Sequence, residues 1–141
     1  MYNFDFYNPT RIIFGKDRLD SLDNLIPEKA RLLITCGMGS AKKYGLLDKV
    51  KSKLGKRTVF EFGGIEPNPH YETLMKAVEM VRNEEIDFIL AVGGGSVIDG
   101  TKFICLASHY EGEGKDLLMY GGQPITSEVV EDAVPFGTVL T

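Results

Sequence analysis

The chain has 141 residues, 43% hydrophobic and 26% charged, with a formal net charge of −4. That is the size and balance of one soluble domain with a real core, and the negative charge argues against a nucleic-acid or acidic-membrane surface as its main partner. No apolar run is long enough to cross a bilayer, and Met1 to Phe6 carry no basic-then-apolar leader pattern.

In chain order, the aromatic and β-branched residues of 4–15 predict two short extended pieces around Asn8-Pro9, since the residue before a proline is pushed away from helix. Leu19, Leu22 and Ile26 recur at helical spacing over 16–26, and Pro27 ends that segment. RLLITCG at 31–37 is a short apolar run stopped by glycine, as in a strand covered on both faces. Residues 40–55 return to helix with Leu46, Leu47, Val50 and Leu54 as the buried stripe, and 57–64 form another strand. In the helix over 66–85, Asn68 is placed as N-cap, Pro69 as first helical residue, and Tyr71, Leu74, Val78 and Val81 as the apolar stripe. Residues 87–94 carry the strongest strand signal; a helix over 96–110, a turn-rich loop at 111–116 and a last strand over 133–141 follow. Cys36 and Cys105 sit in apolar or helical stretches, which predicts free thiols and a cytoplasmic location.

Strands alternating with helices predict an α/β fold, a parallel sheet with helices on both faces. Such sheets bind ligands beyond the carboxyl ends of their strands. That rule points to the loops after residues 36, 62, 92 and 140.

One of these loops is AVGGGSVIDGTK, residues 91–102. Its glycines have two readings. Ser96 and Asp99 match a capping pattern that needs no ligand. Alternatively, Gly94, Gly95 and Ser96 open a helix whose free N–H groups cradle a phosphate against bare backbone. The spacing is neither G-x-G-x-x-G nor a Walker loop. A second glycine-bearing turn, TCGMGSAKK at 35–43 after the strand at 31–37, offers backbone donors, the Ser40 hydroxyl, Lys42 and Lys43, and no carboxylate. That set suits a ribose bearing a 2′-phosphate, so NADP is expected over NAD, although solvated lysines on a plain turn fit as well. Asn68 is sufficiently explained as an N-cap. His70 and His109 form no metal motif, the cysteines lack C-x-x-C spacing, and no acid–base pair or catalytic residue stands out.

GGIEPNP followed by AVGGGSVIDGTK, with NPTRIIFG at the start and PFGTVLT at the end, resembles the iron-containing (group III) alcohol dehydrogenases. Within them the likeness is to the butanol dehydrogenase and NADPH-dependent aldehyde reductase branch. It covers residues 1–141 as that family's dinucleotide-binding domain. The resemblance implies a Rossmann-like sheet of the kind found in the amino-terminal domain of dehydroquinate synthase. It implies that Gly94, Gly95 and Ser96 line the pyrophosphate, and that Asp99 approaches the nicotinamide side. Asn68 and the turn Gly37, Met38, Gly39, Ser40 would hold the adenosine end, with Thr138 and Thr141 bordering the cleft. The family holds Fe2+ or Zn2+ through one aspartate and three histidines in a helical carboxyl-terminal domain, positions this sequence does not contain.

The implied function is therefore the NAD(P)-binding domain of a metal-dependent alcohol dehydrogenase or aldehyde reductase, acting on a small alcohol or aldehyde. The chain alone is expected to lack activity, and to self-associate through apolar surface. A dehydroquinate synthase-like lyase domain and a stand-alone nucleotide-binding module are the alternatives.

Overall fold

The computed structural model describes residues 7–39, 44–118 and 132–141. Four strands form its sheet: β1 (Arg31–Gly37), β2 (Thr58–Ile65), β3 (Phe88–Gly93) and β4 (Phe136–Leu140). All three pairings are parallel and the order is β2-β1-β3-β4. Strand side chains alternate between faces. From β1, Leu32, Ile34 and Cys36 join one core and Leu33 joins the other.

Helices cover both faces. α1 (Leu22–Leu25) and α2 (Leu46–Ser52) pack Leu22, Leu47 and Val50 against Leu32, Ile34, Leu90 and Val92. On the opposite face, α3 (Tyr71–Asn83) contributes Leu74, Ala77, Val78 and Val81, and α4 (Gly95–His109) contributes Val97, Ile104 and Cys105. Two 3₁₀ turns, Arg18–Ser21 and Gly114–Leu117, complete the elements. Side chains at the expected helical spacing are thus the buried ones, with Tyr71 and Leu46 half-buried at the margins.

β1 has β2 on one side and β3 on the other, so the chain reverses direction across the sheet at β1 and β3. A crevice forms beyond the carboxyl ends of strands at such a switch point. Here that places the segments after Gly37 and Gly93 side by side, with Cys36 paired to Val92.

Several expectations are corrected. Residues 7–14 form no strand; no described strand pairs with them, and Ile12 and Phe14 stand 84% and 96% exposed. An extended piece without a ladder has little to hold it. The helix expected over 16–26 starts late, since Asp17 takes a left-handed φ of 58°, and it divides into a 3₁₀ turn and the four-residue α1. α2 is shorter than 40–55, and 40–43 lie outside the described residues.

Asn68 is not a helix cap. His70 occupies the N-cap of α3, and Asn68 stands two residues earlier at φ 54°. Pro69 keeps Asn68 out of right-handed helical geometry, and asparagine is among the few residues that tolerate the left-handed region. The capping box of Ser96 and Asp99 is also absent. α4 starts at Gly95 with Gly94 as N-cap, so Ser96 already lies inside the first turn.

Candidate functional site

The three consecutive glycines have different reasons to be glycine. A Cβ on Gly93 would come within 2.7 Å of Val97 Cγ2 and 3.0 Å of Val97 Cβ. Gly93 is therefore required by the packing of α4 onto β3. Gly100 is constrained in the same way further along α4, where a Cβ would meet Leu74 Cδ2 at 2.9 Å and Pro69 Cγ at 3.4 Å. At Gly94 and Gly95 an added Cβ would meet nothing within 4 Å. Neither has the left-handed φ that favours glycine. Neither conformation nor internal packing asks for glycine there.

Around those two open positions the backbone offers donors. The first intrahelical bond of α4 runs from Ile98 N–H to the Gly94 carbonyl at 3.1 Å. The N–H groups of Gly95, Ser96 and Val97 precede it and have no intrahelical acceptor. Ser96 Oγ accepts the Asn68 N–H at 3.4 Å, joining the turn after β2 to the glycine turn after β3. On the other side, a Cβ on Gly37 would make ordinary contact with the Ile65 carbonyl oxygen and Val97 Cγ2, each 3.5 Å away. The Thr141 N–H donates to the Gly93 carbonyl at 3.1 Å, bringing the end of β4 to the same edge.

The carboxyl edge thus gathers Gly37, Met38, Gly39, Asn68, Gly94, Gly95, Ser96 and Thr141 from four successive strand ends. Met38 is 76% exposed. Asp99 lies further along α4, exposed, with Lys102 Nζ 3.5 Å from its Oδ1. Thr138 stands apart from the edge: it pairs with Ala91, two residues short of the Gly93–Leu140 pair. Ser40, Lys42 and Lys43 lie outside the described residues.

Two features escaped the sequence reading. Thr35 and Thr101 are fully buried, with their Oγ1 atoms 2.6 Å apart. Thr101 spends its proton on the Val97 carbonyl at 2.7 Å, so Thr35 is the donor between them. This pair locks the first turns of α4 to β1, and Thr35 was hidden inside an apolar run. The second is Glu66. Its Oε1 accepts the Thr73 hydroxyl at 2.6 Å, while its Oε2 is shielded and has no partner among the described residues. The Thr73 hydroxyl, then the backbone N–H groups of Glu66 and His70, and the His70 ring, hold its carboxyl below the ordinary range against the opposing effect of burial.

Cys36 and Cys105 are both buried, and no disulfide joins them. Among the described residues no three His, Cys, Asp or Glu side chains converge to hold a metal ion, so the metal implied by the resemblance is not matched by residues described here. The described helices include none long and apolar enough to cross a membrane.

A parallel α/β domain with a bare, donor-lined glycine turn at its switch point is the architecture of a nucleotide-binding domain. The sequence profile of the iron-containing alcohol dehydrogenases matches residues 9–141, and the chain belongs to that family. It is 54% identical over its whole length to the NADPH-dependent aldehyde reductase YqhD of Escherichia coli, covering 36% of that protein. It is 44% identical to the probable NADH-dependent butanol dehydrogenase 1 of Bacillus subtilis, again over its whole length and 36% of the relative. The substrate- and cofactor-free structure of the E. coli aldehyde reductase superposes with a TM-score of 0.90, at 50% identity over 99% of this chain and 36% of that one. The chain spans about a third of the length of these relatives.

Proposed function

We propose that residues 1–141 form the dinucleotide-binding domain of an NADP(H)-dependent alcohol dehydrogenase or aldehyde reductase. One observation carries this reading: Gly94 and Gly95 lack side chains that neither the fold nor the backbone geometry forbids. A diphosphate lying against the start of α4 supplies the missing reason, because it needs close approach to the N–H groups of Gly95, Ser96 and Val97. The helix dipole adds about 0.3–1 kcal/mol for an anion there.

In this reading Gly94, Gly95 and Ser96 hold the diphosphate, and Gly37, Met38, Gly39 and Ser40 with Asn68 hold the adenosine end. Asp99, Thr138 and Thr141 border the nicotinamide side. A bound nicotinamide supplies hydride at C4 for exchange with a small alcohol or aldehyde. The turn after β1 contributes no carboxylate between Thr35 and Lys43 to repel a 2′-phosphate, which favours NADP(H) over NAD(H). The exposed Ile12, Phe14 and Leu140 favour self-association, and two buried cysteines not joined by a disulfide favour a cytoplasmic setting.

Parallel fluorescence titrations of the 141-residue chain with NADPH and NADH provide the test. Saturable binding with NADPH the tighter ligand is expected. Absence of saturation with either dinucleotide would overturn the assignment, and tighter NADH binding would overturn the cofactor preference.

A further inference from the structure

The turn that carries Asn68 is held at two points. At its base, Glu66 follows the buried Ile65 and accepts the Thr73 hydroxyl at 2.6 Å, tying the end of β2 to the first turn of α3. Along its length it rests on α4. The Asn68 N–H meets Ser96 Oγ at 3.4 Å, and the Pro69 ring lies 3.4 Å from where a Gly100 Cβ would stand. Ser96 and Gly100 are four apart and share one helix face. Between base and tip, Asn68 holds a left-handed φ of 54°, which asparagine tolerates better than most residues.

A serine hydroxyl has one proton to donate and two lone pairs to accept with. Ser96 Oγ accepts from Asn68, and among the described residues nothing accepts its proton. We propose that Glu66 is a positioning residue of this site: through Thr73 it fixes the 66–70 turn, which holds the Asn68 N–H on Ser96 and leaves the Ser96 hydroxyl to donate to the bound diphosphate. The inference rests on the cofactor reading given above. Hydrogen bonds in series also strengthen one another, so an anion drawn to the Ser96 proton reinforces the Asn68 contact.

The test is a set of NADPH titrations on the unmutated chain and on E66A, E66Q, T73V, S96A and E66A/S96A. Circular dichroism and a thermal melt check the fold of each. Loss of a hydrogen bond to a charged acceptor predicts that E66A and T73V each weaken NADPH binding by about tenfold. E66Q keeps an acceptor oxygen for Thr73 and should stay within about threefold of the unmutated chain. In the S96A background the E66A change should cost nothing further, because its effect passes through Ser96. A loss in E66A/S96A equal to the product of the single losses would overturn the proposal, as would unchanged affinity in both E66A and T73V. If E66A fails to fold, the comparison of T73V with E66Q decides. If the unmutated chain binds no dinucleotide, the cofactor reading falls and this proposal falls with it. Normal binding with no effect of E66A and T73V overturns the proposal alone.

Discussion

At the amino end of the sheet every donor of Arg57 is spent, whereas at the carboxyl end the first N–H groups of α4 are left over. Arg57 donates through Nε to the Pro27 carbonyl and through Nη1 to Asp23 Oδ1 and the Leu54 carbonyl. Its Nη2 donates to the Asp23 and Ile26 carbonyls, and its side chain is 3% exposed. Arg82 likewise caps the end of α4 through the Ala107, Ser108 and Tyr110 carbonyls. Arg31 reaches the Glu84 carbonyl at 2.8 Å, beyond the end of α3. Helix ends carry unpaired carbonyls and a partial negative charge, and arginine answers both. Among the described residues the amino end spends its donors internally, whereas the first N–H groups of α4 at the other end have no intrahelical acceptor. Stability and ligand binding should therefore separate by mutation.

The largest effect is expected at the saturated end. Arg57→Ala removes five hydrogen bonds and strands the carbonyls they served, for an expected loss of about 3 kcal/mol in urea unfolding. Lysine there should recover less than half, since one ammonium cannot reproduce the fork. NADPH affinity of the folded protein should not change. Loss of affinity at equal foldedness would break the separation.

The glycines sharpen it further. Gly93→Ala drives a methyl into Val97 and should destabilise by about 1–3 kcal/mol. Gly95→Ala meets nothing and removes chain entropy from the unfolded state, so it should stabilise by about 0.4–1 kcal/mol. The same Gly95→Ala variant should lose NADPH binding, because its methyl occupies the space the anion needs. A Gly95→Ala variant that binds NADPH normally would remove the reason offered for the open glycines.

Much of this arrangement was legible in the sequence. The strands and helices followed from apolar runs and 3.6-residue spacing, because both cores are filled by side chains that the pattern already marked. The glycine turn was legible as a strand-to-helix turn at a carboxyl strand end. What the pattern could not do was tell Gly93 from Gly94 and Gly95, since that distinction depends on where Val97 stands after the helix docks. The capping readings of Asn68 and Ser96 failed for a related reason. Both match local capping signals, yet Pro69 and the earlier start of α4 turn them toward each other across 28 residues of sequence. Thr35 was invisible inside RLLITCG, because a hydroxyl that finds its partner 66 residues away leaves no local trace.

The smallest effect concerns Cys105, on the half of α4 nearer the amino end of the sheet, and it asks whether the satisfied end is also the dry one. Burial pushes its thiol from 9.0 up to about 12. Its carbonyl accepts the Val134 N–H at 3.2 Å, close to the carbonyls held by Arg82. A group whose folded pKa is raised contributes stability fully present below the unfolded value and lost as pH climbs toward the folded one. Unfolding free energy should thus be flat in this respect to about pH 9 and fall from there toward pH 12, and Cys105→Ala should flatten that fall. The thiolate is the reactive form, so iodoacetamide at about pH 8 should leave Cys105 unmodified in the native chain and label it after unfolding. Adding NADPH should not alter the native labelling rate, because the proposed cofactor site lies at the opposite end. A rate that drops on NADPH addition would mean that the two ends open together, and that the arginine-clamped end depends on the one that takes the ligand.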